Sequence, residues 1–376
     1  MPNFQSWRGT IAPALAVLFM ASVLLLQPVS AESSQVDDTG TGWDLTNLNL
    51  DVTLLPASGE LLAQGTLRVR LTGAAASTGP DFELNRNGFE FVSISSSLQA
   101  KEARVRGRLA RVRLAQPVSR GQEIEVTVNY KYKDPGGITL KPDGAHAAGT
   151  DLWYPSPSNR EGELNDVDAA GTVRYKLPRG WQMLSVGTQS QSSQSGDFVM
   201  QTWTVDTDVA HGFIAGPFAL HVKPFKENKV RIMLAKPDAS RAARIANTFS
   251  IVTAQLARWF GPFPYKDFGI AEVPSGLLPF SGRSLPGLFI ADETNFDQSD
   301  IDHLILAHET AHAWWGNFVK VIDPGNQLLV EGLAHYSVCL VIEWLEGKAA
   351  AVEWLRFGRV THPRRFRAFY QGLTPT

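Results

Sequence analysis

The sequence predicts an α+β protein of more than one domain: an antiparallel β-sandwich or saddle over residues 43 to 225, then an α/β half over 226 to 376. Three observations carry that reading. Short polar/apolar alternations separated by turn residues fill the first stretch. β runs mixed with helical periodicity fill the second. A chain of 376 residues is long enough for about two domains, and it shows no repeat at solenoid or propeller periods.

Taken in order, Met1 to Ala31 reads as a cleaved signal peptide, with Arg8 at its start, an apolar run from Ile11 to Leu26, and small residues at Val29-Ser30-Ala31. Pro13 and the short apolar span disfavour a membrane anchor, which is the alternative. The protein is therefore expected outside the cytoplasm, periplasmic or extracellular. Cys339, the single cysteine, lies in the apolar run Val338 to Ile342 and reads as a buried inert thiol, which suits a periplasm. Residues 32–42 read as a polar linker. A formal net charge of −2 gives no electrostatic case for nucleic acid or an acidic membrane surface.

Thr66–Leu71, Ala103–Leu109 and Glu123–Tyr130 alternate as strands, with their arginines on a solvated face. Pro56-Ala57-Ser58-Gly59, Asp134-Pro135-Gly136-Gly137 and Pro142-Asp143-Gly144 supply turns. Trp153 and Tyr154 read as core aromatics, with a substrate-facing rim as the other reading. His211 to Pro217 is expected to close this half.

Past a boundary near Pro224 to Asn228, Val230–Leu234 reads as a strand and Ser240–Phe260 as an amphipathic helix stopped by Gly261-Pro262. Phe268–Pro274 and Leu288–Ala291 read as strands flanking a Gly/Pro/Ser loop. Ser299 is placed to cap a helix running to about Gly316. Asp323-Pro324-Gly325 turns the chain into a second apolar helix ending near Gly347, and Ala349–Val360 forms another before Pro363.

The chemistry concentrates in the helix read to end near Gly316, which carries His308-Glu309-Thr310-Ala311-His312. Histidines four apart share a helix face and can present two imidazoles to one metal. Glu309 then sits beside the metal, where a carboxylate can relay the proton of an attacking water. A catalytic zinc needs a third protein ligand, and Glu331 is the candidate, with 18 residues between it and His312. His335, four residues further on, reads as packing or as an outer hydrogen-bond partner, because a fourth ligand would close the site to water.

His-Glu-x-x-His, 18 residues, then Glu resembles the gluzincin metallopeptidases related to membrane alanyl aminopeptidase. Trp315-Gly316-Asn317, Glu331 to Tyr336 and Trp259 to Tyr265 look like that family's surroundings, and Leu152-Trp153-Tyr154-Pro155 with Thr172 to Trp181 is similar to its amino-terminal β-domain. The resemblance implies a thermolysin-like catalytic half and one Zn2+ held by His308, His312 and Glu331. It further implies Glu309 as the general base and peptide or protein substrates. The family's Gly-x-Met-Glu-Asn is missing; Ser281-Gly282-Arg283-Ser284-Leu285 stands in its place, so recognition of a free α-amine is expected to be lost, and Arg283 reads as an exposed loop arginine. The family's catalytic tyrosine lies further beyond the third ligand than this sequence extends. Tyr370 is the one tyrosine after Tyr336, and the catalytic half is expected to be incomplete. Two other readings compete: a zinc-containing scaffold without turnover, for which Glu309 has no metal-binding purpose, and a zinc hydrolase of a non-peptide bond.

Overall fold

Alternation makes the first hairpin. In Trp43–Leu55 and Glu60–Leu71 every second side chain turns inward, and the strands pair antiparallel so that Leu48 faces Leu67. The computed structural model describes residues 36, 40–134, 136–158, 167–225, 228–280, 282–296, 303–320 and 326–357. The leader, most of the linker, the Ser299 cap, the Asp323-Pro324-Gly325 turn, Pro363 and Tyr370 lie outside the described residues.

Among the described residues the hairpin sits inside a seven-stranded sheet. Its order is 188–195, 198–210, 168–178, 43–55, 60–71, 123–133 and 89–96. The pairing of Trp43–Leu55 with Asp168–Pro178 is parallel, which corrects the expectation of a purely antiparallel sheet. Local alternation cannot distinguish the two, because it fixes only which face a side chain takes. Ala103–Leu109 is likewise not one strand. Ala100–Arg106 and Leu109–Leu114 form a hairpin, and Gly107 supplies the left-handed turn at φ 57°.

The aromatics of this half are core. Trp153 and Tyr154 are fully buried; the Trp153 indole donates to the carbonyl of His211 at 3.1 Å, and the Tyr154 hydroxyl accepts the His211 N–H at 3.1 Å.

A five-stranded sheet ordered 219–225, 228–234, 267–273, 288–292 and 282–285 carries the second half, its first strand coming from residues before 226. Its three middle strands run parallel and its two edges antiparallel. Helix α1 (Ala239–Phe260) packs on it through Ala242, Ile245 and Phe249. Its cap is Asp238, whose carboxylate accepts the N–H of Arg241 at 2.8 Å, and the helix starts one residue before the expected Ser240. The edge strand Gly282–Leu285 falls where the sequence reads as loop; four residues are too few for a period to show.

Helix α2 (His303–Ala311), helix α3 (Asn326–Glu346) and helix α4 (Lys348–Phe357) complete the described chain. Helix α2 stops at Ala311 rather than near Gly316; residues 312–316 continue as turns, with the His312 N–H on the His308 carbonyl at 3.3 Å. Cys339 is buried in the core shared by these helices, as expected.

Candidate metal centre

Small residues let α2 and α3 approach. Ala307 and Ala311 on one and Ala334 on the other are fully buried in their shared core, and a larger side chain at any of them would push the helices apart. The approach brings together His308, His312 and Glu331, the residues singled out by spacing. His308 Nε2 lies 3.2 Å from Glu331 Oε2, His312 Nε2 lies 3.3 Å from His308 Nε2, and 3.7 Å separates His312 Nε2 from Glu331 Oε1. Ligands about 2.0–2.1 Å from a tetrahedral ion stand about 3.3–3.4 Å from one another. The three side chains therefore form a group whose donor types and spacing could hold a metal ion.

The orientation of His312 is fixed from behind, because its Nδ1 lies 3.1 Å from the Trp315 carbonyl, so Nδ1 carries the proton and Nε2 is left as the donor toward a metal. Trp315 is tied in turn to α3, its indole donating to Ser337 Oγ at 3.2 Å. Between them Gly316 takes φ 98°, and a Cβ there would lie 2.6 Å from Val330 Cγ1, next to Glu331. Only glycine lets this turn pass so close to the helix carrying the third ligand.

The charges match the arrangement. The hydrogen bond from His308 holds the Glu331 carboxyl below its ordinary range, in spite of partial burial. Burial pulls His308 down, but the bond to Glu331 and the charges of Glu309 and Glu331 outweigh it and raise its pKa. Burial raises the Glu309 carboxyl, opposed by the two histidines. A divalent ion at this cluster would compete with protons for His308. His335 is not part of the triad; its ring lies tilted against Trp354 with centroids 4.2 Å apart, and burial, then the His308 charge, lower it to about 4.

Sequence reasoning missed the wall beside Glu309. Ser284 Oγ donates to the Glu309 carbonyl at 3.3 Å, and a Cβ on Gly282 would stand 3.5 Å from Glu309 Oε1. Arg283 between them is not an exposed loop residue: it is half-buried and paired with Asp151 from the β half. Nothing local signals a partner 132 positions away in the chain.

No family model matches the sequence. The structure is similar to an M1 zinc metallopeptidase of Deinococcus radiodurans, with a TM-score of 0.66 at 20% identity over 84% of this chain and 74% of that one. A substituted form of a Deinococcus radiodurans M1 zinc metallopeptidase bound to a Tyr-Ser-Ala substrate is similar at TM-score 0.64 and 20% identity, over 84% and 74% of the two chains. The likeness shows a fold shared with those proteins.

Proposed function

We propose that the protein is a zinc metallopeptidase of aminopeptidase-like type. The observation that carries this reading is the convergence of two imidazole nitrogens and a carboxylate at 3.2–3.7 Å, with Glu309 buried beside them. His308, His312 and Glu331 hold the metal, which when bound acidifies a water and polarises a carbonyl. The Trp315 carbonyl keeps the His312 ring in one tautomer. Glu309 is the general base: burial makes its ionised carboxylate more basic, so it can take a proton from the attacking water and return it to the leaving amine. Ser284 and Gly282 fix and border that group.

The reading extends to an exported, periplasmic or extracellular protein with a β half over 43–225 and a catalytic half over 226–376. A likeness to proteins that include one bound to a tripeptide supports a peptide substrate.

Elemental analysis of the purified protein, paired with chelator-sensitive cleavage of a peptide panel, tests the proposal. One zinc per chain and chelator-sensitive cleavage are expected. Glu309→Gln should keep the zinc and lower turnover by about 10²–10⁴-fold. A variant that keeps full turnover, or a parent that binds no metal, refutes it.

A further inference from the structure

The turn that follows His312 is closed by its own backbone. The Asn317 N–H donates to the His312 carbonyl at 3.2 Å, the Val319 N–H to the Trp314 carbonyl at 2.8 Å, and the Gly316 N–H to the Val319 carbonyl at 3.0 Å. Residues 312–319 therefore move as one piece, and the Trp315 carbonyl that orients His312 belongs to it. On one side α3 holds the turn, through Ser337 and the space beside Val330. At its far end Phe318 and Val319 are exposed and bury little.

Lys320, the next residue, supplies the second hold. Its Nζ donates to the Asp208 carbonyl at 2.8 Å and to Asp168 Oδ2. Asp168 begins the strand 168–178 and Asp208 lies near the end of 198–210, its neighbour in the seven-stranded sheet. Acidic groups surround the ammonium. Burial raises the Asp208 carboxyl, Lys320 opposes that more strongly than Arg70 does, and Asp168 and Asp44 add to the rise. A partly exposed ion pair adds little to global stability. The value of this one lies in where it holds the chain, eight residues past a metal ligand and on the other half of the protein.

We propose that Lys320 is a positioning residue for the metal centre, through which the β half fixes the 312–319 turn and with it the His312 ring. The proposal rests on the zinc reading of His308, His312 and Glu331. With Lys320 untied the turn keeps only its hold on α3, the Trp315 carbonyl is less fixed, and His312 has to be ordered when the ion binds.

The test measures zinc affinity by chelator competition, and amide hydrogen exchange over 312–319 in metal-free protein, with thermal unfolding as the check on folding. Lys320→Met should weaken zinc about tenfold, the low end for outer partners of a ligand, and speed exchange in the turn. Asp168→Asn should weaken it about threefold, because the Asp208 carbonyl still holds the ammonium, and Lys320→Arg should stay within about twofold of the parent, since it keeps the charge and the donors. Lys141, which also joins the halves by donating to the Leu277 carbonyl at 3.5 Å, is the control: Lys141→Met should leave zinc affinity at the parent value. Unchanged zinc affinity in folded Lys320→Met, or an equal loss in Lys141→Met, would overturn the proposal and leave the peptidase reading intact. A parent that binds no zinc would overturn both.

Discussion

His211 in the β half and His308 on α2 are buried to similar degrees, at 2% and 8% exposure, yet burial has opposite outcomes for them. The His211 ring meets the Tyr154 ring edge-on, and its Nε2 donates to the Ala169 carbonyl at 2.9 Å. Burial holds it neutral, with its pKa lowered to about 4. His308 faces two carboxylates, and their pull outweighs burial. A buried histidine is thus structural when its partner is a neutral backbone group, and a candidate ligand when carboxylates and a second imidazole converge on it.

The sharpest way to break that contrast is to exchange the losses. Glu331→Gln should lower zinc affinity more than about 100-fold, exceeding the effect of removing an outer hydrogen-bond partner, while leaving the thermal unfolding of metal-free protein close to the parent's. His211→Gln should leave the zinc stoichiometry at one and lower stability. Metal titration and unfolding of both variants check this, and a His211 variant that loses zinc would erase the distinction.

The next effect is set by pH. A histidine whose folded pKa is about 4, against an ordinary 6.5, binds its proton in the unfolded chain first. Its contribution is therefore complete above pH about 6.5 and is lost as pH falls toward 4, by about 3 kcal/mol in all. His146 acts in the same direction over a wider range, since burial, and then the Arg283 charge, lower it to about 3. Unfolding of metal-free protein between pH 7 and 4 should show stability falling with pH, with a shallower slope in His211→Gln.

Backbone geometry comes third. Gly316→Ala places a Cβ against Val330 at a positive φ, at a cost of about 1–3 kcal/mol. Because Val330 precedes Glu331, the strain should also appear as weaker zinc binding. Gly347→Ala, also at positive φ but with open space around it, should cost stability alone.

Much of this was readable from residues. The hydrophobic alternation of 66–71 and 123–130 and the helix ending at Gly261 follow from period, a local property, and the roles proposed for His308, His312 and Glu331 rest on their spacing together with the resemblance to a family's motif. The parallel partner of Trp43–Leu55, the edge strand Gly282–Leu285 and the Arg283–Asp151 pair were not readable. Each joins segments far apart in sequence through contacts that only the tertiary fold creates. The premature end of α2 belongs with them: Trp315 and Gly316 leave the helix because α3 offers Ser337 and the space beside Val330.

That tie between Trp315 and Ser337 gives the smallest expected effect and the finest test of the contrast between structural and ligand histidines. Trp315→Phe keeps a ring against Phe260 but removes the indole donor. Ser337 can still donate to the Leu333 carbonyl at 2.8 Å, so the serine hydroxyl keeps a partner and the stability cost should be about 1 kcal/mol. The backbone carbonyl that orients His312 survives the substitution, yet it loses one of its anchors to α3. Zinc affinity should therefore fall about tenfold, at the low end for outer partners of a metal ligand. Ser337→Ala should match it in affinity, and the double variant should add little, because both remove the same bond. Additive losses would mean that Trp315 positions His312 through its packing rather than through Ser337.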